Sequence, residues 1–161
     1  MKSLFISALC AVCLVAFSGC PYGSEVAIDK PSISVDEKLL GKWEPKSSSD
    51  DQITITKVDQ FTYKIEKKTK NSTDVTVYKG FLSNVDGTKF INIYEENNST
   101  PSYYLYKIEI SASGAKATLA PVTDNIDEKF ETSEALKAFI KKYKDLSFFY
   151  QKDEDVFIRA D

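Results

Sequence analysis

Beyond residue 38 the sequence is dominated by short runs in which apolar and polar residues alternate. The clearest run is "QFTYKIEK" at 60–67, where Phe61, Tyr63 and Ile65 fall on one side and polar residues on the other. Alternation with a period of two predicts β-strands that turn one face to a core. Further runs of this kind occupy 52–58, 75–85, 88–96, 102–110 and 115–122, with one around Trp43 and one in the final "VFIRAD".

Short turn signals separate these runs. Asp86-Gly87 joins two of them and is the strongest short hairpin signal, and Ser113-Gly114 joins two others. Consecutive strands joined by tight turns form an antiparallel meander. The sequence therefore predicts a mainly β fold, an antiparallel up-and-down barrel or half-barrel of about eight strands.

The pattern changes once, in "ETSEALKAFIKKYKD", before the last strand. Its apolar residues recur at the spacing of an amphipathic helix over about 132–144, and Thr132 or Ser133 can cap its start. The helix is expected to cover one end of the barrel, as a gate or as part of a filled core, or to pack along the outer sheet. Leu136, Phe139 and Ile140 should then be buried, and Lys137, Lys141 and Lys144 should face water. The apolar stripe consists of Leu136, Phe139, Ile140 and Tyr143.

The first twenty residues have a different character. Met1-Lys2 is followed by an apolar run from Leu4 to Phe17. This run is shorter than the roughly 20 residues that a membrane-spanning helix needs. A short basic start, a brief apolar core and small residues at the end predict a signal peptide over 1–19.

The end of this run resembles the lipobox of bacterial lipoproteins. Ser18, Gly19 and Cys20 match the pattern, whereas Phe17 stands where leucine is usual. The resemblance implies that Cys20 is acylated and becomes the new N-terminus; the alternative is an ordinary signal peptide with an incidental cysteine. Asp, a retention signal for the inner membrane in enterobacterial lipoproteins, is absent after Cys20, so an outer-membrane location is favoured. We therefore expect a cell-envelope protein that is attached to the membrane through acylated Cys20.

The mature chain divides into two parts. Residues 20–38 carry two prolines and no sustained period, which predicts a tether. Residues 39–161 form a single domain. Lys2 leaves with the signal peptide, so the mature chain carries 20 basic and 24 acidic side chains. This mildly acidic balance does not predict the positively charged surface that nucleic-acid binding requires.

The composition also excludes several kinds of chemistry. The chain has no histidine, and its three cysteines all lie within the first twenty residues. Histidine-dependent catalytic triads and most catalytic zinc sites are thereby excluded. The acidic runs Asp50-Asp51 and 153–155 are expected to be solvated turns, without the spacing of a calcium loop. We expect no enzymatic activity, no cofactor and no metal site.

The pattern formed by three residues resembles that of the calycin group, which includes lipocalins, fatty-acid-binding proteins and avidins. Members open their first strand with Gly-x-Trp, here Gly41-Lys42-Trp43, and many place a basic residue near the last strand over that tryptophan, here Arg159. The resemblance implies a closed barrel with Trp43 buried and Arg159 across its ring. The alternative is a chance tryptophan in an unrelated sandwich or open sheet.

Two functions fit such a domain. A small barrel can bind an apolar molecule in its interior. Alternatively the interior is filled, and the outer surface recognises an envelope protein or a glycan, with tyrosines of the 102–110 run available for stacking. The candidate lining of an interior site is Phe61, Tyr63, Ile65, Tyr104, Tyr106 and Ile108.

Overall fold

The computed structural model describes residues 21–47, 50–96 and 102–160. The predicted signal peptide and Cys20 lie outside these residues. Nine strands, one α-helix and two short 3-10 turns make up the described part. The strands are β1 Gly23–Ser24, β2 Gly41–Pro45, β3 Asp51–Lys57, β4 Thr62–Thr69, β5 Val75–Val85, β6 Thr88–Tyr94, β7 Tyr103–Ile110, β8 Lys116–Pro121 and β9 Asp155–Arg159; helix α1 is Ser133–Tyr143, and the 3-10 turns are Glu37–Leu39 and Ser147–Phe149.

Eight of the strands form a closed barrel. From β2 to β9 each strand pairs antiparallel with the next, and β9 pairs back with β2. The predicted up-and-down barrel is confirmed, and the ring is closed, which excludes the half-barrel alternative. The additional strand β1 pairs with β7 at Tyr103 and Tyr104.

Local sequence explains the turns of the barrel. Asp86 and Gly87 join β5 to β6 with φ angles of 48° and 86°. Such left-handed conformations at both central residues are typical of a tight hairpin. Between β3 and β4 the Asp59 carboxylate accepts hydrogen bonds from the backbone N–H groups of Phe61 and Thr62, at 2.8 and 2.9 Å. This turn delays the start of β4 until Thr62.

The inward side chains of the barrel form one core. Its buried members include Trp43, Tyr63, Leu82, Ile91 and Tyr106. They alternate with outward residues along each strand, as a two-residue period requires. Leu39, in the 3-10 turn before β2, is 2% exposed and adds to this core.

A second core lies on the outside of the barrel. Outward residues of β5, β6 and β7, among them Val85, Phe90 and Leu105, pack with Leu136 and Ile140 of α1. Thr132 caps the helix by accepting a hydrogen bond from the Ala135 N–H at 3.2 Å. The helix predicted before the last strand is confirmed, and it packs against the outer sheet.

The N-terminal segment also belongs to this outer core. Tyr22 and Ile28 are buried there, and the Ile28 N–H donates to Asn92 Oδ1 at 2.9 Å. The described part of the predicted tether is therefore packed on the barrel. The pattern did not indicate this because the buried residues of 21–38 follow neither a strand nor a helix period.

No helix in the described part of the chain is both long enough and apolar enough to pass through a membrane.

Candidate functional site

One end of the barrel is closed by the residues of the Gly-x-Trp motif. Trp43 is 1% exposed and pairs across β2 and β9 with Arg159, whose guanidinium carbon lies 4.5 Å from the centre of the indole ring. The Trp43 Nε1–H donates to the Leu39 carbonyl at 2.9 Å. The structure thus brings together the residues that the sequence singled out for barrel closure.

Gly41 is needed at this end for two reasons. Its φ of 119° lies in the region that side chains rarely adopt, and a Cβ atom there would lie 2.7 Å from Arg159 Nη1. Arg159 uses this close approach to donate from Nη1 to the Leu40 carbonyl at 2.8 Å and from Nε to the Gly114 carbonyl at 2.9 Å. A third bond joins Nη2 to the Lys38 carbonyl.

The barrel interior is almost filled. The described residues line a cavity of about 50 Å³ there, and that lining is wholly apolar. Ligand sites of proteins usually measure about 300–1,000 Å³. Two of the six candidate lining residues, Ile65 and Ile108, border this cavity.

The other candidate residues have different positions. Tyr63 and Tyr106 are buried in the inner core, and Tyr104 packs against it half-buried. The Tyr63 hydroxyl accepts a hydrogen bond from the Asp36 N–H at 2.6 Å, and burial raises the pKa of Tyr63 to about 12. Phe61 directly precedes β4, which begins at Thr62; it is half-buried and is not among the residues that border the interior cavity.

Several polar groups are buried towards the other end of the barrel. Asp51 is buried at the start of β3, where it accepts a hydrogen bond from Thr69 Oγ1 at 2.7 Å and lies 3.4 Å from Lys67 Nζ. Asp155, 8% exposed, begins β9, and burial raises its pKa to about 6. The expectation that both acidic runs are solvated turns was wrong for these two residues, because each begins a strand.

Among the described residues, the Tyr78 hydroxyl and Asp155 Oδ2 are buried without a hydrogen-bond partner. Burial, reinforced by Glu95 and Tyr104, raises the pKa of Tyr78 to about 12.

The apolar stripe of helix α1 packs against the outer surface of the barrel. Leu136 and Ile140 are buried, while Phe139 and Tyr143 are half-buried, with ring centres 4.6 Å apart. Lys141 is exposed, as expected, whereas Lys137 is half-buried. The Lys144 side chain is 9% exposed, so its predicted exposure was wrong. The chain folds back over the helix end there, and the Tyr150 hydroxyl donates to the Lys144 carbonyl at 2.7 Å.

A groove on the outer face has a volume of about 310 Å³, which is larger than that of the interior cavity. Its aromatic wall comes from three adjacent strands: Phe81 on β5, Tyr94 on β6 and Tyr103 on β7. The two tyrosine rings lie 5.3 Å apart, and Phe81 lies 6.3 Å from each of them, edge-on. We call this opening the outer groove. Its other lining residues are Glu25, Val26, Ala27, Asp29, Lys30, Pro31 and Ser133.

Ion pairs fix the polar surroundings of the outer groove. Asp29 accepts from Lys137 Nζ at 2.7 and 3.0 Å, which ties the N-terminal segment to α1. Lys79 pairs with Glu96 beside Tyr94. Burial raises the pKa of Tyr94 further above neutral pH, and its protonated phenol can donate a hydrogen bond.

Tyrosines of the 102–110 run were expected to be available for stacking, and one of them, Tyr103, lies in the wall of the outer groove. The wall formed by residues 25–31 was not predicted. The only local signal was the short apolar run Val26-Ala27-Ile28, which is too brief to predict an element.

Within residues 21–47, 50–96 and 102–160, no group of three or more histidine, cysteine, aspartate or glutamate side chains could hold a metal ion. No protein-family model, curated protein or solved structure matches this chain.

Proposed function

We propose that this chain is a lipid-anchored, non-catalytic protein of the cell envelope whose lipocalin-like barrel presents the outer groove to a ligand. The proposal is based on the volumes of the outer groove and the interior cavity. The outer groove of about 310 Å³ reaches the size of a small-molecule site, whereas the interior cavity of about 50 Å³ does not. On this proposal the barrel is a rigid scaffold for a site on its surface.

The chemistry of the outer groove favours a saccharide as the ligand. Tyr94 and Tyr103 offer ring faces and hydroxyl groups, which suit a molecule with one apolar and one polar side. Glu25, Asp29 and Ser133 supply further groups that can bind sugar hydroxyls. The opening has the volume of a small-molecule site, whereas a protein interface usually buries about 600–1,000 Å² on each side. An envelope glycan therefore fits the site better than an envelope protein.

Calorimetric titration of the chain from residue 21 onwards with neutral and N-acetylated oligosaccharides tests the site. Tyr94→Ala and Tyr103→Ala should each weaken binding at least tenfold. Phe148→Ala is the matched control, because Phe148 is an exposed aromatic residue that does not line the outer groove. Equal loss in the control, or no binding by the wild type, would argue against the proposed site.

The anchor is proposed from the lipobox resemblance at Cys20, and the absence of Asp after it favours the outer over the inner membrane. Radiolabelled palmitate should enter the wild-type chain and the Cys13→Ala control but not Cys20→Ala. Cys20→Ala should also leave the membrane fraction. Acylated Cys20→Ala protein in the membrane fraction would refute the anchor.

A second candidate is a small apolar ligand inside the barrel. It is favoured by the wholly apolar lining of the interior cavity, since such a cavity stays dry and takes apolar guests. The guest would have to be very small or the barrel would have to expand. Native mass spectrometry of the purified protein should reveal a co-purifying molecule if this candidate is correct. Loss of that molecule in Ile108→Phe, which narrows the cavity, would place it in the interior.

A further inference from the structure

The N-terminal segment is fixed to the barrel from Tyr22 onwards. Tyr22 is buried, its N–H donates to the Val122 carbonyl at 2.9 Å, and its hydroxyl donates to the Glu128 carbonyl at 2.7 Å. These bonds hold the residue on the outer face, beside the end of β8.

Covalent geometry limits how far an anchor at Cys20 can lie from the barrel. Cys20 precedes Tyr22 by two positions, and two trans peptide units span at most about 8 Å. This distance is about the thickness of the polar headgroup layer of one leaflet, roughly 5–8 Å. It is shorter than the reach of the tether that the sequence suggested. An acyl group on Cys20 would therefore bring the barrel itself into contact with the membrane surface.

An exposed apolar pair lies in the segment that is hydrogen-bonded next to the partner of Tyr22. Phe148 is 69% exposed and Leu146 is 40% exposed. The carbonyl of Phe149, the residue after Phe148, accepts a hydrogen bond from the Thr123 N–H at 3.0 Å. Thr123 directly follows Val122, whose carbonyl accepts the hydrogen bond from Tyr22. Each backbone-bonded step of this path separates Cα atoms by roughly 5 Å. The pair thus lies on the same side of the barrel as Tyr22.

The charges around this pair are balanced. Residues 141–154 contain four lysines and three acidic residues. Lys144 pairs with Asp145, and Lys141 pairs with Asp86. Attraction to anionic lipid would therefore be weak, and the apolar side chains would provide most of the contact.

We propose that Leu146 and Phe148 form a membrane-docking patch that enters the lipid interface beside the acylated N-terminus. The inference rests on the proposed anchor at Cys20 and is independent of the ligand of the outer groove. A lipid chain and an apolar patch on the same side provide two points of attachment. The barrel is then held in one orientation on the membrane.

Phe148→Trp in the acylated full-length protein tests this patch. The variant protein is placed in phosphatidylcholine vesicles with and without brominated acyl chains, which quench tryptophan fluorescence at short range. Trp43 is buried in the barrel, and its emission in the wild type is the baseline to subtract. The matched control is Val58→Trp: Val58 is 49% exposed at the β3–β4 turn, and those strands lie across the barrel from β7 and β8.

After subtraction of the baseline, we expect the emission of the Phe148→Trp variant to fall at least twofold in brominated vesicles, with that of the Val58→Trp variant unchanged. The quenching should persist in 0.5 M salt, because the contact is apolar. Mass spectrometry of the same sample records the acyl group on Cys20.

Three outcomes would overturn the inference. Acylated Phe148→Trp protein whose added tryptophan is not quenched would refute the docking patch and leave the anchor standing. Emission that is blue-shifted but unquenched in this variant would indicate contact between copies and would also refute the patch. Absence of the acyl group would refute both proposals.

Discussion

Arg159 lies over the ring of Trp43, on the strand that pairs with it, and binds backbone carbonyl groups at Lys38, Leu40 and Gly114. One side chain thus joins the entry to the first barrel strand, the turn before β8 and the closing strand. The planar guanidinium allows this, because its donors diverge in a fixed plane. The contact combines hydrogen bonds with a cation–π interaction on the indole ring.

Arg159→Lys tests that role. Lysine keeps the charge but cannot reach the three carbonyl groups at once, so we expect a loss of about 1–3 kcal/mol in the free energy of unfolding. Urea denaturation followed by Trp43 fluorescence measures it. Lys152→Ala, a change at an exposed lysine, is the control and should cost less than about 0.5 kcal/mol. Equal stability of Arg159→Lys and the wild type would show that the bonds add nothing.

A comparison of Gly41→Ala with Gly87→Ala separates the cost of backbone strain from the cost of a close contact with Arg159. Alanine at this position meets both an unfavourable φ and the Arg159 side chain, whereas alanine at Gly87 meets only an unfavourable φ, with no atom within 4 Å of its Cβ. The strain is worth roughly 1–2 kcal/mol. We expect Gly87→Ala to cost about that amount, and Gly41→Ala to cost at least about 1 kcal/mol more, since the arginine must shift or lose a bond. Thermal melts of the two variants give the difference, and similar losses would contradict the role of the close approach.

Leu136→Ala tests whether α1 is part of the structural core. Leu136 packs against the outer sheet and is only 1% exposed. Its truncation to alanine should therefore lower the free energy of unfolding by about 2–5 kcal/mol. Because the helix lies outside the barrel, binding of a hydrophobic dye to the folded interior should not change. Ala138→Ser on the exposed face of the helix is the control. A change in dye binding without a loss of stability would indicate a gate instead.

Asp155 makes stability depend on pH in an unusual direction. Its pKa is raised to about 6 by burial, so between about pH 4 and pH 6 the folded state holds a proton that the unfolded state releases. Stability from this group is present below about pH 4 and is lost as pH rises through about 6. Asp155→Asn should therefore raise the free energy of unfolding by about 1–2 kcal/mol at about pH 8 and change it little at about pH 4. Denaturation at both pH values measures this, with exposed Asp153→Asn as the control.

The barrel was predictable because each strand carries its own signal. Alternation placed Tyr63, Ile65 and Ile108 inward, and Asp86-Gly87 identified a hairpin, so local pattern and global topology agree. Gly41, Trp43 and Arg159 were linked by the resemblance to the calycin pattern, and the closed meander does bring the first and last barrel strands together. The side of the barrel on which α1 packs was left open, since an apolar stripe fits either surface.

The outer groove could not be predicted, because it depends on the path of a segment without regular structure. The backbone of Ile28 is bonded to Asn92, and Asn92 in turn donates to Ser83 Oγ at 2.9 Å. No periodicity marks such a contact between residues 64 positions apart. The filled interior was equally hidden, because the same inward residues can line a ligand site or complete a packed core.

The position of β9 governs when the ring can form. Leu40 and Arg159 are 119 positions apart in the chain, and β9 supplies the pairing for both β2 and β8. Contacts of such long range make folding slow, and during synthesis the ring stays open until Arg159 has emerged from the ribosome. A nascent chain ending before Asp155 would expose the hydrogen-bonding edges of β2 and β8, on which strands of other chains readily pair. Loss of β9 would therefore convert the barrel into a template for aggregation.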